Sequence, residues 1–304
     1  MIFSTPLTRW IPVLLIVLFM GIAGSCEDEP TGPAIPGDTI QTIQKSPKRG
    51  LSYNLTNALD LDTLKRGVSW WYNWYHSTSA PQGYYEDYQM EFIPMIWGGN
   101  PSLASVTAAK AFILAHPEVD YLLVMNEPNL VDQANRTPQQ AASDWIIYEQ
   151  VIQDLANQGR EIKLVGPAMN WGTLENYSDP VVWLDAFYSH FETTYGRKPL
   201  IDYLAFHWYD YGLASQLDHL EKYGKQIWIT EMANWNANIN SYAMQIQQMH
   251  EMVGLCESRS DVFRYAWFIG RGGNFDNRFT YLFQSEPGEL TELGLTYINL
   301  PYSQ

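Results

Sequence analysis

The chain has 304 residues and a mass of 34.9 kDa, with 18 Lys and Arg against 33 Asp and Glu, a net charge of −15. No basic cluster relieves that acidity, which excludes nucleic acid and other polyphosphates as partners. Hydrophobic residues make up 46%, and 12 Trp, 20 Tyr and 12 Phe supply both a large core and flat apolar faces of the kind that suit a pyranose ring.

At the start, Arg9 precedes the apolar run 11–22, and Ala23-Gly24-Ser25 lead into Cys26. A positive charge, a short apolar stretch and small residues before a cut mark a secretory signal over residues 1–25. The run is short for a membrane span. Small residues ending in Cys resemble a bacterial lipobox, which makes Cys26 the expected site of lipidation. Residues 26–47 open with Glu27-Asp28-Glu29 and are rich in Pro and Gly to about Gly37, the composition of a flexible tether. Acidic residues directly after a lipidated Cys resemble the surface-export signal of some Gram-negative lipoproteins. The expected location is the bacterial outer membrane or cell surface, outside the cytoplasm, with the lipid as the only membrane contact. Cys256 is the one other cysteine, so no disulfide is expected, and its helical surroundings mark it as core.

From Lys48 onward, short apolar runs alternate with longer helix-like ones, the pattern of a parallel sheet built from βα units. The expected strands are 49–54, 67–72, 91–97, 121–126, 163–168, 203–208, 226–231 and 263–269. Between them, Thr137-Pro138-Gln139-Gln140 is a capping box with Pro at the first helical position. The face Trp145, Tyr148, Ile152 and Leu155 follows it at 3–4 spacing until Gly159. Asp179-Pro180 opens a further helix, Leu213, Leu217 and Leu220 mark one ending at Gly224, and Asn240 is the expected cap of another. No linker interrupts residues 48–304, and eight βα units in that length predict a single (β/α)8 TIM barrel.

Two of the strands end abruptly in a glutamate. These are Val124-Met125-Asn126-Glu127-Pro128-Asn129 and Ile227-Trp228-Ile229-Thr230-Glu231-Met232-Ala233, the fourth and seventh in order. Barrels of this kind build their active sites from residues at the C-terminal ends of the strands. Paired carboxylates there suit glycoside hydrolysis, in which one protonates the leaving oxygen and the other attacks or activates water. Asn126 carries an amide able to hold a sugar 2-hydroxyl.

Asn-Glu-Pro after strand four with a second Glu after strand seven resembles the arrangement of clan A glycoside hydrolases, which are retaining barrels. Three further words narrow the likeness: Gly67-Val68-Ser69-Trp70-Trp71-Tyr72-Asn73-Trp74, Phe92-Ile93-Pro94-Met95-Ile96-Trp97-Gly98 and Leu290-Thr291-Glu292-Leu293-Gly294. Together they resemble glycoside hydrolase family 128, the alkali-sensitive-linkage type of catalytic core, over nearly all of the chain after the tether. That resemblance implies action on β-1,3-glucan, with Glu127 as acid/base and Glu231 as nucleophile. It also places His207 and Tyr209 beside the nucleophile, the Tyr hydroxyl touching it, and makes Trp267 the platform under the sugar at the cleavage point. Trp70, Trp97 and Trp208 belong to the rim or the barrel interior, which alternation alone leaves open. Trp71, Asn73, Trp74 and Trp235 fall near strand ends or in loops and read as outer subsites.

Other chemistries find no support in the sequence. The six histidines (76, 116, 190, 207, 219 and 250) lack metal spacing, and there is no nucleophile elbow, phosphate loop or dinucleotide fingerprint. The expectation is a monomer without metal or cofactor. Two alternatives stay open: a clan A glycosidase for another β-linked polysaccharide, and a non-catalytic glycan-binding surface lipoprotein. A pure binder has no need of the second glutamate.

Overall fold

The computed structural model describes residues 43–272 and 279–302. The signal, Cys26 and nearly all of the expected tether lie outside the described residues. One compact unit spans Thr42–Gln304, and no helix among the described residues is long and apolar enough to cross a membrane.

The strands are β1 (Arg49–Ser52), β2 (Trp70–Tyr72), β3 (Glu91–Phe92), β4 (Met95–Ile96), β5 (Tyr121–Val124), β6 (Lys163–Met169), β7 (Tyr203–Trp208), β8 (Ile227–Met232) and β9 (Val262–Trp267). All pair in parallel, in the order β3-β2-β1-β9-β8-β7-β6-β5-β4. The two ends of this order are halves of one expected strand, 91–97, divided at Ile93-Pro94. Ile93 N donates to Trp71 O on one side (2.9 Å), and Pro94 O accepts from Leu123 N on the other (3.0 Å). Proline has no N–H for the ladder, so the strand switches partners there. The barrel closes through that segment, giving the (β/α)8 architecture.

The helices are α1 (Ala58–Leu64), α2 (Tyr84–Tyr88), α3 (Leu103–Ala115), α4 (Pro138–Ala156), α5 (Pro180–Tyr195), α6 (Leu213–Leu220), α7 (Tyr242–Ser258) and α8 (Glu292–Asn299). The capping box of α4 is formed: Gln140 N donates to Thr137 Oγ1 (3.2 Å) and Thr137 N to Gln140 Oε1 (3.0 Å). Asp179 caps α5 as expected, whereas α7 is capped by Ser241 rather than Asn240. Cys256 is buried in α7, its Sγ 3.9 Å from Met232 Sδ, and burial pushes its thiol well up, leaving it inert.

Strand alternation divides the core in two. Outward side chains such as Leu51, Trp71, Phe92, Leu122, Leu164, Phe206 and Ile229 pack against the helices, where burial of each large aliphatic or Phe side chain contributes about 1.5–3 kcal/mol. Inward ones, among them Trp70, Tyr72, Ile93, Leu123, Val165, Ala205 and Trp228, fill the barrel. Trp70 and Trp228 meet edge to face at 5.1 Å, and Gly50 makes room, since a Cβ there would lie 2.2 Å from the Trp70 ring. At the N-terminal end, Arg264 pairs with Glu91 (2.6 Å) and lies over the rings of Tyr121 and Trp228. That plug leaves the opposite end as the open mouth.

Candidate active site

Glu127 and Glu231 meet at the C-terminal mouth. Both are buried, at 7% and 5% exposure, on the wall of a cavity of about 480 Å³ shared with Trp74, Trp97, Asn126, Asn170, Tyr209, Trp235 and Phe268. Neither orientation follows from simple alternation. Before Glu127 the chain runs through left-handed Met125 (φ 56°), and Glu127 is itself left-handed (φ 46°). Non-glycine residues adopt that region infrequently, and here it re-aims the chain as it leaves the strand. Along β7 and β8 the pairing goes from Phe206–Ile229 directly to His207–Glu231, so β8 carries one extra residue. Such a bulge re-aims side chains: Thr230 and Glu231 both serve the interior, although Ile229 just before them faces the helices.

Glu231 accepts from three neutral donors. Tyr72 Oη (2.8 Å) and Trp74 Nε1 (2.7 Å) reach Oε1, and the Tyr209 hydroxyl donates to Oε2. Glu127 Oε1 accepts from Asn170 Nδ2 (2.8 Å) and faces His207 Nδ1 (2.8 Å). His207 is fully buried between the carboxylates, with Nδ1 3.5 Å from Glu231 Oε2 and Nε2 2.9 Å from Thr230 Oγ1. One ligand-type atom from each of Glu127, His207 and Glu231 lies within 4.8 Å of the others. In type this trio could ligate a metal. Its atoms are engaged otherwise: both imidazole nitrogens and both Glu231 oxygens already have protein partners. The arrangement is that of two carboxylates flanking one buried imidazole.

The electrostatics agree. Burial disfavours every charge here, but the two carboxylates outweigh it at His207 and hold its pKa above the ordinary value. Burial also pushes Glu127 up, yet the charge and hydrogen bond of His207, with Asn170, hold it below the usual carboxylate range. Burial raises Glu231, and the Glu127 charge adds to this, against the pull of His207, Tyr209 and Trp74. Burial, then the Glu231 charge, drives Tyr72 and Tyr209 well above the usual phenol value, so both are fixed donors. The two carboxylates and His207 lie close enough for their titrations to be linked.

The remaining expected residues divide cleanly. Asn126 is buried at the cleft, with Nδ2 donating to Gln133 Oε1 (3.3 Å) and Oδ1 without a protein partner among the described residues. Trp97 and Trp235 line the cavity, Trp235 stacked on Tyr209 with ring centroids 3.8 Å apart. Trp267 and Trp208 are corrected, and Trp70 takes the interior, one of its two expected places. Trp267 points outward into the helix layer beside Tyr297, its Nε1 donating to Thr280 O (2.9 Å); the next residue, Phe268, reaches the cleft instead. Trp70 fills the barrel interior below the site. Trp208 faces outward, stacked near Phe206 and donating to Tyr211 O (3.0 Å). Trp71 is core as well. Tyr72, Thr230 and Asn170 were not picked out by sequence reasoning, and Trp74 belongs at the centre of the cleft rather than in an outer subsite. The alternation of β2, which puts Tyr72 on the same face as Trp70, was the available signal for Tyr72.

Comparison with known proteins shows the family. The model of the glycosyl hydrolase catalytic core matches residues 50–297. An endo-β-1,3-glucanase of family 128, subgroup II, from Pseudomonas viridiflava is 52% identical, with a TM-score of 0.79, over 86% of this chain and 100% of its own. A subgroup II endo-β-1,3-glucanase from Sorangium cellulosum is 32% identical (TM-score 0.71; 84% and 100% covered). A subgroup I enzyme from Amycolatopsis mediterranei, solved with laminaritriose, is 25% identical (TM-score 0.62; 83% and 98% covered). No curated protein matches the chain. With a family model matched over most of its length and a half-identical relative covered end to end, the chain belongs to the glycosyl hydrolase catalytic-core family, in glycoside hydrolase family 128, and is a glycoside hydrolase.

Proposed function

We propose that the protein is a retaining endo-β-1,3-glucanase. The relatives support the substrate, and one bound supports the stereochemistry: a ligand-type oxygen of Glu127 and one of Glu231 lie no more than 4.8 Å apart. Retaining pairs have carboxyl groups about 5–5.5 Å apart, whereas inverting pairs need about 6.5–9.5 Å to admit a water. The donors support the roles, although burial and the Glu127 charge raise Glu231 while His207 and Asn170 hold Glu127 down. Glu231, facing three neutral donors that cannot give up a proton, is the nucleophile. Glu127, sharing a proton with His207, is the acid/base.

In the first step a Glu231 oxygen bonds to the anomeric carbon as Glu127 protonates the departing glycosidic oxygen. In the second, Glu127 takes a proton from water as the water oxygen displaces Glu231, restoring both groups. Asn126, with its orphaned Oδ1, accepts from the sugar 2-hydroxyl, and Trp97, Trp235 and Phe268 supply apolar walls. A glycan panel with wild type and Glu231→Gln tests this. Laminarin or curdlan should yield oligosaccharides whose first-formed reducing ends are β, with no product from the variant. Preferred cleavage of a β-1,4-linked mannan or glucan overturns the substrate assignment, and first-formed α ends overturn retention.

We also propose a monomer held at the cell surface by a lipid on Cys26, on the strength of the lipobox-like Ala23-Gly24-Ser25-Cys26. Cys26→Ser should appear in the soluble fraction or stay unprocessed. Membrane association at the processed size would refute the anchor.

A further inference from the structure

Trp74 lies two residues beyond β2 in a left-handed conformation (φ 61°), which a bulky side chain adopts only when its surroundings impose it. Its neighbour Trp71 takes the ordinary structural role, fully buried against Tyr84 and Phe92 in the helix layer. Trp74 instead is half-buried on the cleft wall, between Tyr72 (5.3 Å) and Phe268 (5.8 Å), both edge to face. From there its Nε1 donates to Glu231 Oε1 at 2.7 Å, the oxygen that Tyr72 also reaches. An indole N–H donates and never accepts, and it does not titrate. It can satisfy only the ionised carboxylate, or the carbonyl-type oxygen of a protonated one, and it favours the anion.

We infer that Trp74 is a positioning residue with two coupled tasks. Its N–H holds Glu231 ionised and aimed, while the same ring forms the wall against which the sugar at the cleavage point is seated. Substrate seating and nucleophile alignment are thereby one geometric event. This rests on the reading of Glu231 as nucleophile.

The test compares Trp74→Phe, which keeps an aromatic ring and deletes the N–H, with Trp74→Ala, which deletes both. For Trp74→Phe, kcat should fall about 10- to 100-fold with KM within about twofold, the loss expected for one hydrogen bond to a charged group. Removing a donor to the anion raises the Glu231 pKa, so the acidic limb of the kcat/KM profile should move to higher pH. The defect should persist on a dinitrophenyl glycoside, which needs little acid assistance. Trp74→Ala should in addition raise KM. If Trp74→Phe folds poorly, a 3-benzothienylalanine at position 74, sulfur replacing the N–H in a ring of the same shape, gives the same reading. An unmoved acidic limb, or a kcat within about twofold of wild type, overturns the inference. If Glu231→Gln retains activity, the nucleophile assignment itself has failed, an outcome distinguishable from the first.

Discussion

Replacing His207 with Gln tests the proton sharing at the centre of the site. Its Nδ1 lies 2.8 Å from Glu127 and 3.5 Å from Glu231. At an effective dielectric constant of about 20, a charge there attracts the two carboxylates by on the order of 6 and 5 kcal/mol, against a mutual repulsion of about 3.5 kcal/mol at 4.8 Å. Burial opposes all three charges, yet the raised His207 and lowered Glu127 values show attraction outweighing it at that pair, so the proton rests on His207 with Glu127 ionised. In His207→Gln the proton that the acid step uses has Glu127 alone to sit on. Two sites in parallel always hold a proton at least as firmly as one of them, so deleting His207 moves the basic limb of the kcat/KM profile to lower pH, by about one unit or more. Loss of the bond that orients Glu127 should lower kcat on the order of tenfold. Stability gives a second reading. The folded pKa of His207 is raised, so its stabilisation is full below the unfolded value near 6.5 and is lost as pH rises through the folded value. The deficit of the variant in chemical denaturation should accordingly be larger at pH 6 than at pH 9. A basic limb that stays put or moves up in a folded variant refutes the shared proton.

Azide should rescue Glu127→Ala on substrates with good leaving groups and give a β-glycosyl azide; an α-azide from this variant would exchange the roles of the two glutamates. Trp267→Ala should cost about 3–5 kcal/mol in denaturant unfolding while leaving KM unchanged, since a large buried ring is lost from the helix layer. Trp235→Ala should do the reverse, raising KM with little loss of stability. Lys45, whose amine burial and then Lys65 bring down to about 7, donates to Val68 O and Tyr88 O. With the folded value below the unfolded one, stability rises between about pH 7 and 10.5, where only the unfolded chain keeps the proton. The gain from Lys45→Met should therefore be largest below pH 7 and vanish above about pH 10.5; a gain independent of pH would count against the buried charge.

Much of this protein is legible without coordinates because its signals are local. The βα alternation, the Thr137 capping box and the Asp179-Pro180 helix start depend on neighbours in sequence, and all appear where expected. A glutamate at the end of an apolar strand in a barrel must fall near the mouth, so Glu127 and Glu231 could be paired across 104 positions. Tertiary structure decided what alternation cannot count. The third strand breaks at Pro94 because a missing N–H changes its partner. The extra residue in β8 turns Glu231 inward, and the left-handed residues at 125, 127 and 74 re-aim the chain where it leaves the strands. Phe268 takes the cleft position expected of Trp267 for the same reason: at a strand end, one residue of register decides between helix layer and cleft. The donors that tune the carboxylates, Tyr72, Trp74, Asn170 and Tyr209, come from different strands and their loops. They converge only because the barrel closes, and no spacing along the chain records that closure.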